Sequence, residues 1–164
     1  RICRSATTSV RKLMIGVNGA GAATEQGRQW AYDIGRLIAW RDAVLVCGGM
    51  GGVMEEACRG CIEAGGQTMG ILPGDQADQG NPWVSLPVVT DLGHARNVII
   101  SHTARALVAV EGEYGTLSEI AIALKLGRPV TALGGWRDIP GVMPAVTPRG
   151  AVSWIFDRLD RKDS

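Results

Sequence analysis

Short apolar runs of four or five residues recur along the chain, and most are followed by a glycine-marked loop and then by apolar positions at helical spacing. Leu13 to Val17 reads as a buried strand, and after Asn18-Gly19-Ala20-Gly21 the residues Trp30, Ile34, Leu37 and Ile38 share one face of a helix. Ala43 to Cys47 opens a second unit, ended by Gly48-Gly49-Met50-Gly51-Gly52. Val53, Ala57, Cys61 and Ala64 mark its helix, which Gly65-Gly66 stops. Thr68 to Leu72 is a third strand, and a long polar loop carrying Asp75, Asp78 and Asn81-Pro82 separates it from Leu86 to Thr90. A weakly periodic helix over 93–103 precedes the strand Ala106 to Val110 and the loop Glu111-Gly112-Glu113-Tyr114-Gly115. The next helix is predicted to begin at Thr116, with Leu117, Ile120, Ala121 and Leu124 on one face and Gly127 and Pro129 at its end. Val130 to Leu133 is the last predicted strand. An irregular stretch then leads to a closing helix marked by Val152, Ile155, Phe156 and Leu159.

Strands alternating with helices, each strand almost wholly apolar, predict a parallel sheet covered on both faces. The expected architecture is α/β: a Rossmann-like doubly wound parallel sheet in three α/β/α layers. It forms a single domain over residues 1–164, with tails at 1–12 and 160–164. In such a sheet ligands bind at the carboxyl ends of the strands, near the point where strand order reverses, and every glycine loop falls there.

Composition narrows the guest. The 23 glycines are concentrated in these loops, where backbone N–H groups approach an anion and each helix N-terminus adds about half a positive charge. Phosphate is the natural ligand. The 17 Lys and Arg balance 16 Asp and Glu, so neither nucleic acid nor an anionic membrane is an expected partner, and an anion must be held locally. Four cysteines in a chain of this size, with no signal-like start, predict a reducing, cytoplasmic setting. Cys58 and Cys61 form a C-x-x-C pair inside an apolar-periodic helix and lack a second ligand pair, so they are expected to be packing residues. No metal is assigned, to them or to His94 and His102. No apolar stretch approaches the roughly 20 residues that span a bilayer. The chain begins at Arg1 rather than Met, which fits native residues preceding it.

The loops differ in what they permit. Gly19-Ala20-Gly21-Ala22-Ala23-Thr24 imitates G-x-G-x-x-G, but Thr24 takes the last small position and no acid closes the second strand, which argues against a nicotinamide dinucleotide. Gly48 to Gly52 lacks the Lys-Ser or Lys-Thr of a P-loop. Two Gly pairs around Met50 exceed what a turn needs and favour anion contact over simple tight packing. Thr116 and Glu119 have the spacing of a capping box, and the same carboxylate is also placed to face a ligand.

Together these motifs resemble the LOG family of Rossmann-fold proteins, often labelled lysine-decarboxylase-like, and within it the subgroup containing molybdenum cofactor carrier proteins. The likeness is carried by Gly48 to Met54, Gly70-Ile71-Leu72-Pro73-Gly74, Val89 to Asn97, Gly112 to Glu119, Ala121 to Lys125 and Arg128-Pro129-Val130. The resemblance implies binding of a phosphorylated nucleotide-like or pterin molecule, such as an AMP-like nucleotide or molybdenum cofactor. No cofactor is required for that role. The contacts implied are Gly19, Gly21, Gly48, Gly49, Met50, Gly51, Gly52, Arg96, Gly112, Gly115, Thr116 and Glu119. The alternative implied is a nucleoside 5'-monophosphate phosphoribohydrolase with Arg96 and Glu119 catalytic, a guanidinium holding the anion and a carboxylate serving the sugar.

Where the enzymes carry Pro-Gly-Gly, this chain has Glu111-Gly112-Glu113. Two carboxylates are thus expected in the loop that cradles phosphate, weakening anion binding unless a cation compensates. Ligand-contacting residues are also expected in the loop 75–85, where Trp83 is a candidate for stacking or for covering the sheet edge. The resemblance further implies a homodimer or homotetramer, with the helices after Gly93 and Thr116 at the interface.

Overall fold

A computed structural model describes residues 11–162. Seven parallel strands form one sheet: β1 (Met14–Gly19), β2 (Val44–Cys47), β3 (Gln67–Leu72), β4 (Leu86–Val89), β5 (Ala106–Val110), β6 (Val130–Leu133) and β7 (Val142–Pro144). Their spatial order is β4-β3-β2-β1-β5-β6-β7. The helices are α1 (Glu25–Trp40), α2 (Val53–Glu63), α3 (Arg96–Thr103), α4 (Tyr114–Lys125) and α5 (Pro148–Lys162). Right-handed crossovers place helices that connect strands on the two sides of β1 on opposite faces. So α1, α2 and α5 share a core with Ile15, Val17, Leu45, Val108 and Val110, while α4 packs on Leu107 and Ala109 and α3 on Val46 and Ile71. This is the doubly wound, three-layer fold expected from the alternation of strands and helices.

The order reverses between β1 and β5, whose ends register Gly19 with Val110. Connections leave these two strands in opposite directions, so their carboxyl ends open a crevice. Gly19 lies where the chains nearly touch: a Cβ there would stand 2.1 Å from the Val110 carbonyl oxygen.

Three features depart from the sequence reading. The stretch after β6 contains β7, a three-residue strand whose single buried residue, Val142, is too little apolar pattern to stand out. β4 is apolar yet exposed along its whole length; at the sheet edge it pairs only with β3, so it lacks the two-sided cover predicted for it. The closing helix also runs past 160, to Lys162, whose Nζ donates to the Gly127 carbonyl at 2.7 Å beyond the end of α4. Only 163 and 164 of that predicted tail, and 1–10 of the N-terminal one, lie outside the described residues.

The helix pair α1 and α2 meets at glycines. A Cβ on Gly35 would stand 2.0 Å from the Ala57 carbonyl oxygen, and one on Gly60 would stand 2.1 Å from that of Tyr32. Backbone contact of this kind fixes how α2, and the loop entering it, sit against α1. Gly35→Ala is therefore expected to lower unfolding stability by about 3 kcal/mol in urea titration. Gly21→Ala, where an added Cβ meets nothing within 4 Å, should stay within about 0.5 kcal/mol of the parent. Similar losses at both positions would contradict this packing.

Candidate functional site

Each α-helix presents N–H groups at its first turn that no residue of the helix can accept. Three of the helix N-termini at the carboxyl edge treat them differently. At α1, the Thr24 hydroxyl accepts from Gly27 N–H at 3.0 Å, and the Glu111 carboxylate accepts from Thr24 N–H at 3.1 Å and from the Thr24 hydroxyl. At α2, Val53 N–H donates to the Ala20 carbonyl at 2.9 Å, and Glu55 and Glu56 lie in the first turn. At α4, no side chain caps the helix, and among the described residues the N–H groups of Tyr114, Gly115 and Thr116 have no acceptor.

The open α4 terminus borders a cavity of about 370 Å³ lined by Asn18, Gly19 and Gly21 at the end of β1, Arg96 on α3, and Gly115, Thr116 and Glu119 on α4. Ala22, Met54, His94, Asn97 and Glu113 complete the wall. It occupies the reversal of strand order. A slightly larger surface groove between α1 and the start of α5 contains none of these groups.

Arg96 is only 8% exposed. Its Nε donates to the Ile71 carbonyl at 3.0 Å and its Nη1 to Asn97 Oδ1. Asn97 is itself held, donating through Nδ2 to Ser118 Oγ at 3.1 Å. Nη2 makes no hydrogen bond with the described residues. Burial pulls the guanidinium below the ordinary arginine value, and the nearby Glu119 pushes it back up. Arg96 makes no ion pair among the described residues.

Glu119 is 5% exposed. The capping box predicted with Thr116 does not form, because α4 starts two residues earlier, at Tyr114, and carries Glu119 into its second turn. There its Oε2 has no partner among the described residues, and neither has Oδ1 of the buried Asn18, whose Nδ2 donates to the Thr116 carbonyl at 3.3 Å. Burial raises the Glu119 carboxyl to about 7, against the pull of the Asn18 amide and the Arg96 charge.

Of the expected contacts, Gly19, Gly21, Arg96, Gly115, Thr116 and Glu119 meet at this cavity. Gly48, Gly49, Met50, Gly51, Gly52 and Gly112 are not on its wall, and the geometry gives several of them other work. A Cβ on Gly48 would stand 2.7 Å from Arg96 Nη2, and one on Gly112 would overlap Thr116. Gly49 N–H donates to Cys47 Sγ, and Asn81 straps the loop through the Gly49 and Met50 carbonyls. Gly49 and Gly52 adopt φ of +73° and +66°, which explains their identity without a ligand.

Other expectations shift as well. The loop 75–85 does not line the cavity, and Trp83 packs on the main core as a cover. Cys58 and Cys61 are buried packing residues; Cys58 faces Cys47 at 3.5 Å, and that hydrogen bond, with burial, keeps its thiol protonated. Asn18 was not among the predicted contacts, although it is the one polar side chain in the apolar run Met14 to Gly19, and that position at a strand's carboxyl end was a usable signal.

The SLOG cluster4 family model matches residues 12–150. The chain belongs to that family. A relative from Archaeoglobus fulgidus, an uncharacterised protein, is 45% identical over 147 residues, covering 90% of this chain and 97% of its own. Among solved structures, the molybdenum cofactor binding protein of the phototrophic bacterium Rippkaea orientalis aligns with a TM-score of 0.87 at 36% identity, over 92% of this chain and 99% of that one. The molybdenum cofactor carrier protein of Chlamydomonas reinhardtii gives 0.83 at 37% identity, with the same coverage. The SLOG cluster4 chain described here thus shares its fold with molybdenum cofactor carriers. No helix among the described residues is long and apolar enough to cross a membrane.

The raised Glu119 carboxyl ties stability to pH. The native state keeps the proton to about pH 7, whereas an ordinary carboxyl loses it near 4.5, so the folded form binds more protons between these values. Stability is therefore expected to fall by on the order of 3 kcal/mol from pH 4.5 to 7 and to level off above. Urea titrations across this range should show the loss in the parent and not in Glu119→Gln. A parent curve with the same slope as the variant would contradict the assignment.

Proposed function

We propose that the protein binds a phosphorylated pterin or nucleotide-like molecule, of the molybdenum cofactor type, in the crevice between β1 and β5. The observation that carries this reading is the set of three free N–H groups at α4 beside the unused Nη2 of a buried arginine. Such donors suit a phosphate, whose negative charge the helix terminus also favours. The two orphan acceptors, Asn18 Oδ1 and Glu119 Oε2, ask for donors from the same ligand, as ring N–H groups or hydroxyls supply. A protonated Glu119 donates one hydrogen bond itself. The similarity to carriers of molybdenum cofactor supports a holding role that needs no chemical step.

The expected outcome is that the protein retains added molybdenum cofactor through gel filtration, read as molybdenum content and pterin fluorescence, and that AMP competes. Arg96→Ala should weaken retention at least roughly tenfold, since charge-assisted hydrogen bonds contribute about 1.5–3 kcal/mol. Unchanged retention in the variant would remove Arg96 from the site.

A second reading has one observation in its favour: a buried carboxyl held near 7 beside an arginine suits acid–base work on a glycosidic bond. Incubation with a panel of nucleoside monophosphates separates the two. Binding without released base is expected for the carrier; release that disappears in Glu119→Ala would instead establish a phosphoribohydrolase.

We also infer a homodimer or homotetramer, supported by the exposed Leu86, Val88, Val89, Leu92 and Val98 on β4 and the segment leading through α3. Sedimentation at micromolar concentration should give more than the monomer mass; a monomer would refute it.

A further inference from the structure

Glu111 replaces the proline of the related enzymes' loop, and its placement is unlike what its charge suggested. It turns away from the α4 donors to α1, where it receives the N–H and the hydroxyl of Thr24. The chain makes several concessions to put it there. Its φ is +54°, a left-handed conformation that costs a non-glycine residue energy. A Cβ on Gly27 would stand 2.6–2.7 Å from its carboxylate atoms, one on Gly134 3.2 Å from its Cγ, and one on Gly135 3.3 Å from its backbone. Its N–H is anchored on the Leu133 carbonyl at 2.8 Å. A carboxylate seated against Gly27, on a left-handed residue that Gly134 and Gly135 also crowd, is a built feature rather than a surface accident.

Its position matters because the N-terminus of the first helix is where Rossmann folds ordinarily hold a dinucleotide's pyrophosphate. Here Gly21 and Ala22, in the loop leading into α1, line the crevice, and the paired Thr24 and Glu111 lie just off its wall. We propose that Glu111 is an internal anion that closes a second phosphate position, so that the crevice accepts a single phosphoryl group and rejects a diphosphate. Glu111 is in this sense a specificity-determining residue, and the inference rests on the phosphate-binding reading of the crevice. Glu113, at the α4 terminus and exposed on the crevice wall, does not share this role.

The test uses Glu111→Gly, which suits the left-handed backbone, and Glu111→Gln, which keeps the shape without the charge. Thermal melts come first. Acetate should raise the melting temperature of the glycine variant by several degrees over chloride at equal ionic strength, with no such excess in the parent. An equal acetate response in both proteins would overturn the internal-anion role. Binding of inorganic phosphate and pyrophosphate, followed by the amide signals of Gly115 and Thr116, comes second. The parent should favour phosphate at least tenfold, and the glycine variant should gain at least tenfold in pyrophosphate affinity, with the glutamine variant between. Pyrophosphate binding the parent as well as phosphate, or no gain in either variant, would overturn the selectivity while leaving phosphate binding intact. A parent that binds neither anion would mean that the crevice reading itself has failed, and the selectivity falls with it.

Discussion

The unmet hydrogen-bonding capacity of helix N-termini organises this molecule. Parallel strands send every following helix out from the same sheet edge, so several sets of orphan donors collect there. At α1 and α2 the chain answers part of this from within. The Thr24 hydroxyl, held by Glu111, takes the Gly27 N–H of α1, and the Ala20 carbonyl takes the first N–H of α2. The α4 terminus receives no acceptor from the described residues, and it stands over the gap that strand reversal opens between β1 and β5. The proposed ligand site lies where the internal answers stop.

The side chains around that gap add to the same imbalance. Arg96 is buried with one guanidinium nitrogen unused, and Asn18 and Glu119 each bury an acceptor with no donor. Such groups reduce stability when left alone, and folds tolerate them where a ligand completes them. The surrounding contacts hold these side chains in place: Ile71 and Asn97 fix the guanidinium, Ser118 fixes Asn97, and the Thr116 carbonyl fixes Asn18. The site is therefore shaped before anything binds, which reduces the ordering cost of association.

Much of this fold was legible because a parallel sheet writes itself as apolar runs. Val44 to Cys47 and Ala106 to Val110 are buried along their whole length, and periodicity alone located them. β7 escaped because only Val142 is buried in it, and the start of α4 because Tyr114 and Gly115 look like loop residues. Within the site, Arg96, Thr116 and Glu119 came from motif resemblance and meet at one cavity. The glycines of 48–52 were harder, since a glycine needed for φ, or to make room for Arg96, reads in sequence like one that faces an anion. Glu111 was misread for a related reason: sequence gives the charge of a loop, not which of two neighbouring helix termini that charge will face.

The proposed ligand binding depends on one anion position at the start of α4. Titration of the amide-labelled protein with inorganic phosphate, followed by NMR, tests it most directly. The largest shifts are expected at the Gly115 and Thr116 amides and at the Arg96 side chain, with Thr24 and Gly27 still. Shifts concentrated at Gly49 to Gly52 or at Thr24, with α4 unmoved, would contradict it.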